Sequence, residues 1–351
     1  MITIETLLQV CVERGASDLH ISAGIPPRHR INGNLINMEF DVLLPPDTER
    51  LAMSVSSERV VNMIEQTGEA DFSYAIPSLG RFRVNIFKQR GSYAMVMRLI
   101  ATEIPSPEKL GIPDSVMDLA TRKRGMVLVT GPTGSGKSTT LASIINKVNL
   151  TRDAHIITME DPIEYLHQHR KSIVNQREVG IDTLSYANAI RASLREDPDV
   201  ILVGEMRDLE TISTAVTAAE TGHLVFSTLH TIGAAPTIDR IIDVYPPHQQ
   251  QQIRVQLATV IEAIISQQLI PTMDGKARVA AYEIMLANPA IKNLIREAKA
   301  HQIASIIQTS KRSGMILMDD SIYDHYMNHK IDAEKAMSFA QDPVAMEKKL
   351  F

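Results

Sequence analysis

The residues 131–139, GPTGSGKST, fill every fixed position of the pattern G-x-x-x-x-G-K-[ST] and stand between the apolar run GMVLVT and a helical pattern. Gly131, Gly134 and Gly136 let backbone amides wrap phosphate oxygens, with Pro132, Thr133, Ser135 and Thr139 completing the turn, and the following helix N-terminus adds its positive end. Lys137 suits the β- and γ-phosphates, and Ser138 suits a magnesium ion. A glycine-rich connection without a ligand is the ordinary alternative, but here the whole pattern and its strand-to-helix context match together. The chemistry indicated is binding of a nucleoside triphosphate.

Hydrolysis further needs carboxylate near the terminal phosphate and the metal. MEDPIE (159–164) supplies Glu160, Asp161 and Glu164, and DVILVGEMRD (199–208) supplies Glu205. Many P-loop enzymes carry an aspartate at the end of that second strand, where Gly204 stands here. Glu205 is assigned to the magnesium or its waters and Glu164 to the attacking water, with the reverse assignment open, while Asp161 joins the nucleotide-binding set. In ETGHLVFSTLHT (220–231), His223 precedes and His230 follows a buried-looking strand. If that strand neighbours the P-loop strand, His230 lies at the edge where nucleotides bind. Both histidines are assigned to the nucleotide site, although a lone histidine is more often structural.

The elements that must position these groups divide the chain. Residues 1–100 read as a small α+β domain. It has an amphipathic N-terminal helix on Ile4, Leu7, Leu8, Cys11 and Val12, an Asn-Gly turn at 31–34, and the alternating strand RFRVNIFK (81–88). Arg81 and Arg83 share the polar side of that strand, and Arg98 comes from the next. Exposed strand arginines are usually solvated, but supplied across a domain or subunit boundary they would act as arginine fingers. Residues 101–114, with their prolines and glycine, read as a linker. From 115 to 351, short apolar runs alternate with helical patterns, which argues for a mostly parallel sheet covered by helices. Beyond Pro247 the chain reads as helical apart from ARVAAYEIML (277–286), with Ile253, Leu257, Val260, Ile261, Ile264 and Ile265 along one long helix.

With 36 basic and 41 acidic residues the 351-residue chain has a net charge of -5, so nucleic acid is not an expected partner. One cysteine, Cys11, allows neither an intramolecular disulfide nor a multi-cysteine zinc site. No apolar stretch reaches membrane-spanning length and no signal peptide is recognisable, so the expected location is the cytoplasm.

One further stretch, ANPAIKNLIREAKA (287–300), starts as a capped helix at Asn288–Pro289, with Ile291, Leu294, Ile295 and Ala298 on an apolar face. Lys292, Arg296 and Lys299 form a basic stripe that the helix does not need for its own stability.

These motifs together resemble the type II/type IV secretion ATPases. ITMEDPIE is similar to the family's aspartate box, SLREDPDVILVGEMRDLET to its atypical Walker B segment and TGHLVFSTLHT to its histidine box. GASDLHIS, RFRVN and ISQQLIP extend the likeness over nearly the whole chain. The resemblance implies a hexameric ring of chains, each with a PAS-like N-terminal domain and a RecA-like ATPase domain that bind ATP between them. It also supports a site-closing role for Arg81, Arg83 and Arg98, and makes Gly-Glu the family's form of the Walker B end. AIKNLIRE resembles a motif of the pilus retraction members, with Lys292 in place of arginine, which keeps the charge but loses the planar fork. The implied partners are further copies of the chain, an inner-membrane pilus platform protein and a second retraction ATPase, with Lys292, Arg296 and Lys299 directed at either the platform or a neighbouring subunit. Alternatives are an accessory retraction ATPase, a related secretion or DNA-transfer ATPase, and a nucleotide-gated scaffold with little turnover.

Overall fold

The computed structural model describes residues 2–31, 33–77, 79–100 and 103–351. Asn32, in the expected Asn-Gly turn, and Ala101 and Thr102, in the expected linker, lie outside these residues. Two compact units result: one runs to Glu103 and includes Glu164–Leu166, and the other comprises Ile104–Ile163 and His167–Phe351.

The first unit is a smaller, PAS-like α+β body. Its strands are β1 (Asp18–Ile21), β2 (Arg28–Ile31), β3 (Asn34–Asn37), β4 (Glu69–Ile76), β5 (Gly80–Gln89) and β6 (Ser92–Leu99). They form one antiparallel sheet in the order β3-β2-β1-β6-β5-β4. Phe82, Val84 and Ile86 of β5 and Met95 and Met97 of β6 bury one face of the sheet against Leu7, Leu8, Leu51 and Ile64 from the helices Ile4–Glu13, Pro45–Ser54 and Glu58–Thr67. The period-2 alternation of RFRVNIFK is thus the cause of a one-sided core. The register places Arg30, Asp18, Arg98, Arg83 and Ser73 in a row across the opposite face.

The second unit is RecA-like. Its strands are β7 (Gly125–Thr130), β8 (His155–Glu160), β9 (Ile173–Glu178), β10 (Val200–Val203), β11 (Leu224–Leu229), β12 (Ile261–Pro271) and β13 (Arg278–Leu286). Their order is β13-β12-β7-β11-β10-β8-β9, with only the β12–β13 pair antiparallel. Every residue of β7 is buried, Met126 and Leu128 in one hydrophobic core and Val127 and Val129 in the other. Helices cover both faces of this sheet, which is why its strands read as unbroken apolar runs.

The long helix expected through Ile265 is a correction. The helix Pro247–Val260 stops at Val260, and Ile261 begins β12, paired with β7 on one side and β13 on the other. A short apolar run fits a buried strand and a buried helix equally, and the β-branched isoleucines at 261, 264 and 265 favour the strand once neighbours exist on both sides. The expected linker is likewise not featureless: Pro107–Leu110, capped by Ser106, and Asp114–Met117 are short helices.

Candidate active site

Strands β8, β10, β11 and β7 are adjacent and parallel, with Met159 opposite Val203, Val203 opposite Ser227, and Leu229 opposite Thr130. The segments leaving these strands therefore emerge at one carboxyl edge: Asp161 after β8, Gly204 and Glu205 after β10, His230 after β11 and the glycine-rich loop after β7. In open α/β sheets this edge is where ligands bind.

The loop is a cradle set by close packing. Gly131, Gly134 and Gly136 have φ of 141°, 79° and 88°. A Cβ on Gly131 would lie 2.2 Å from the backbone carbonyl oxygen of Gln267, and one on Gly136 would lie 2.9 Å from the Gln267 side-chain nitrogen. Gln267, on β12, also accepts a 2.7 Å hydrogen bond from Thr140 Oγ1 of the helix Lys137–Thr151. Lys137, first in that helix and buried, donates from Nζ to the carbonyls of Gly131 (2.8 Å) and Pro132 (3.0 Å). Ser138 and Thr139 are half-buried in the first helical turn, and Pro132 and Thr133 are exposed. Two buried hydroxyls, Thr130 Oγ1 and Ser135 Oγ, lack hydrogen-bond partners among the described residues. A buried ammonium bonded to neutral carbonyls, unspent hydroxyls and an open helix N-terminus suit a polyphosphate. The Ser138 hydroxyl and Glu205 carboxylate are the hard oxygen donors that magnesium takes alongside phosphate and water.

Glu205 is held by cations. Arg207 Nη2 stands 2.7 Å from Glu205 Oε2, and His230 Nε2 stands 3.0 Å from Glu205 Oε1. Burial pushes the Glu205 carboxyl upward, but Arg207, His230 and Lys137 outweigh it and keep the group below the usual carboxylate range. The other ring nitrogen of His230, Nδ1, lies 3.5 Å from Thr133 Oγ1, so the histidine stands between Glu205 and the phosphate loop. Glu160 accepts from Thr158 Oγ1 (2.6 Å) and Gln176 Nε2 (3.0 Å), while Asp161 is exposed.

His223 is just before the start of β11, its Nδ1 2.9 Å from the Ala218 carbonyl. With His230 beyond the far end of that strand, about 20 Å away at 3.3 Å per residue, His223 does not reach this chain's own phosphate loop. The intervening strand thus separates the two histidines. Glu164 belongs to the first unit, as do Arg81, Arg83 and Arg98. Arg83 pairs with Asp71 (2.5 Å) and Arg98 with the buried Asp18 (2.7 Å), and Arg81 is half-buried.

The basic stripe is not continuous. The helix Pro289–Arg296 ends before Ala298, which has φ 58° and is exposed, so neither Ala298 nor Lys299 extends the helical faces. Lys292 is half-buried, 3.6 Å from Glu262 and donating at 3.2 Å to the Thr259 carbonyl, and Lys299 pairs with Glu297 at 2.7 Å. Among the described residues, the Arg296 guanidinium alone of the three makes no ion pair.

Sequence reasoning missed Arg207, Gln267 and Tyr186. Arg207 stands two residues from Glu205, close enough to have been suspected. Gln267 and Tyr186 arrive from distant segments and carry no local signal.

A parallel sheet that brings a P-loop, a glutamate and a histidine to one strand edge defines a RecA-like P-loop nucleotide-binding protein. The chain belongs to the type II/IV secretion system protein family, whose profile matches residues 1–337. It is 49% identical over 320 residues to the twitching motility protein of Neisseria gonorrhoeae, covering 91% of this chain and 86% of that one. It is 46% identical over 340 residues to the type IV pilus retraction ATPase PilT of Pseudomonas aeruginosa, covering 97% and 98% of the two chains. The crystal structure of the pilus retraction motor PilT with bound ADP superposes with a TM-score of 0.93 at 51% identity, over 99% of this chain and all 100% of that one.

Proposed function

We propose that this chain is an ATPase motor that powers retraction of type IV pili. The observation that carries the reading is the meeting of the Lys137 loop, Glu205 and His230 at one strand edge, in a chain similar along its length to a pilus retraction motor. ATP binds in the loop 131–139, where Lys137 turns from the Gly131 and Pro132 carbonyls to the β- and γ-phosphates. Ser138 and Glu205, the latter directly or through its waters, would hold magnesium, which would supply charge neutralisation on the phosphates. Glu164 polarises the attacking water, Asp161 lines the nucleotide site, and His230 reports the γ-phosphate to Glu205. Arg81, Arg83 and Arg98 stabilise the transferring phosphoryl group across a subunit boundary, so turnover depends on assembly.

The working form is a homohexamer at the cytoplasmic side of the inner membrane. It acts on the pilus platform protein, with a second retraction ATPase as companion and no requirement for nucleic acid. Domain closure on ATP and reopening after hydrolysis supply the stroke. Lys292, Arg296 and Lys299 belong to the surface that transmits it, and Arg296 is the member free to reach a partner.

The test combines ATP hydrolysis by the purified chain in magnesium with pilus retraction in cells. Glu205→Gln should bind ATP, lose turnover by about 10³-fold and abolish retraction. A Glu205→Gln strain that still retracts its pili would exclude hydrolysis as the power source.

A further inference from the structure

Gly204 is glycine for want of space rather than for backbone freedom. Its φ is not in the left-handed region, but a Cβ there would lie 2.9 Å from the Tyr186 hydroxyl oxygen, 3.1 Å from the Met159 carbonyl oxygen and 3.4 Å from Glu160 Cα. The backbone cannot move away. The Gly204 amide donates to the Met159 carbonyl at 2.8 Å, and its own carbonyl accepts from Thr228 Oγ1 at 2.6 Å, so the residue is stitched to strands on both sides. The volume in which a carboxylate from position 204 would stand is filled by a phenol hydroxyl from a distant helix.

We propose that Tyr186 is a positioning residue of the hydrolytic site, its hydroxyl replacing the side chain absent at 204 and orienting Glu205 and the water in front of it. Tyr186 opens the helix Tyr186–Ser193, whose cap is fixed by Ser185 accepting from the Asn188 amide at 3.2 Å. Ala187, Ala189 and Ile190 anchor that helix in the core, so the half-buried ring is delivered from a rigid element. Its charged neighbours are Asp161, Glu205, Arg207 and Glu160. Burial, and then the Asp161 and Glu205 charges, push the phenol well above its ordinary range. The hydroxyl is a donor standing among carboxylates, and it makes no hydrogen bond within the described residues. A carboxylate at 204 could only accept, whereas the phenol can donate to Glu205 or its water. Loss of such a supporting group typically costs ten- to a hundredfold in activity.

The inference rests on the ATPase reading, so the parent chain must first be shown to hydrolyse ATP; if it does not, that reading fails and Tyr186 is not the cause. With an active parent, Tyr186→Phe keeps the ring and removes only the donor. It should lower kcat about ten- to a hundredfold, with the ATP KM, the affinity for a fluorescent ATP analogue and the melting temperature unchanged. Equal kcat in parent and variant would overturn the proposal. A fall in melting temperature and nucleotide affinity together, with kcat preserved, would reduce Tyr186 to a packing role and also overturn it. A second pair tests the shared volume. Gly204→Ala should destabilise the chain, and Tyr186→Ala together with Gly204→Ala should lose less than the two single losses combined. Strict additivity would mean that the hydroxyl does not hold position 204 closed.

Discussion

The backbone carbonyl of Gln267 occupies the space beside Gly131, 2.2 Å from where a Cβ would stand, so the first glycine of the phosphate loop is dictated by a strand 136 positions further along the chain. β12 is paired on both edges and cannot yield. Gly131→Ala should therefore weaken nucleotide binding at least about tenfold, a loss of roughly 1.4 kcal/mol or more, as read by titration with a fluorescent nucleotide. Unchanged affinity would mean that the loop adjusts independently of β12.

The side chain of the same glutamine supports the helix behind the loop. Gln267→Met removes the acceptor for the buried Thr140 hydroxyl and should cost about 1–3 kcal/mol in chemical denaturation. Adding Thr140→Val should recover part of that loss, because it removes the unsatisfied donor. Two independent, additive losses would argue against the pairing.

Lys292 and Arg296 should separate. Lys292→Ala breaks a partly buried link to Glu262 and the Thr259 carbonyl, and should cost about 0.5–1 kcal/mol of stability. Arg296→Ala should change stability by less than about 0.5 kcal/mol while stopping retraction with ATP turnover preserved. Retraction at the parental rate in the Arg296→Ala strain would remove this side chain from the coupling surface.

Asp18 should act as a buried anchor in the first unit. Burial alone would raise its carboxyl, but the Ser17 hydroxyl and Arg98 prevail and hold it below the ordinary value of 3.8. A group whose folded pKa is depressed stabilises the fold above its unfolded pKa and loses that contribution as pH falls through the folded value. Asp18→Asn should cost about 2 kcal/mol at pH 7, and the difference from the parent should shrink as the pH falls below 3.8. A penalty that does not vary with pH would place the effect in packing instead of charge.

His167 should contribute to acid sensitivity in the second unit. Burial lowers it from 6.5 to about 4, and its Nδ1 has no hydrogen-bond partner among the described residues. The folded chain resists a proton that the unfolded chain accepts below pH 6.5, so its share of stability is whole above 6.5 and lost progressively toward pH 4. Urea unfolding of His167→Leu should show a shallower loss between those pH values. A slope equal to that of the parent would assign the acid sensitivity to other groups.

Much of the architecture was legible because its signals are local. A parallel sheet covered on both faces makes each strand an unbroken apolar run, and a one-sided antiparallel sheet makes RFRVNIFK alternate. The C-terminal helix boundary was not legible. Ile261, Ile264 and Ile265 satisfy helical spacing as well as they suit a strand, and the strands on either side of β12 come from elsewhere in the chain. The stripe from Lys292 to Lys299 misled for a related reason: spacing specifies a helix face only while the helix lasts, and this one ends at Arg296.

The sequence by itself determined the phosphate loop, the glutamate and histidine at strand ends and the family of the chain, because each is a short-range pattern in which chemistry and conformation are written together. Tertiary structure alone decided that Glu205 sits between Arg207 and His230, that His223 stands near the Ala218 carbonyl, and that Gln267 and Tyr186 close against Gly131 and Gly204. Those relationships depend on which strands lie side by side and in what register, and that choice is made by packing the whole core.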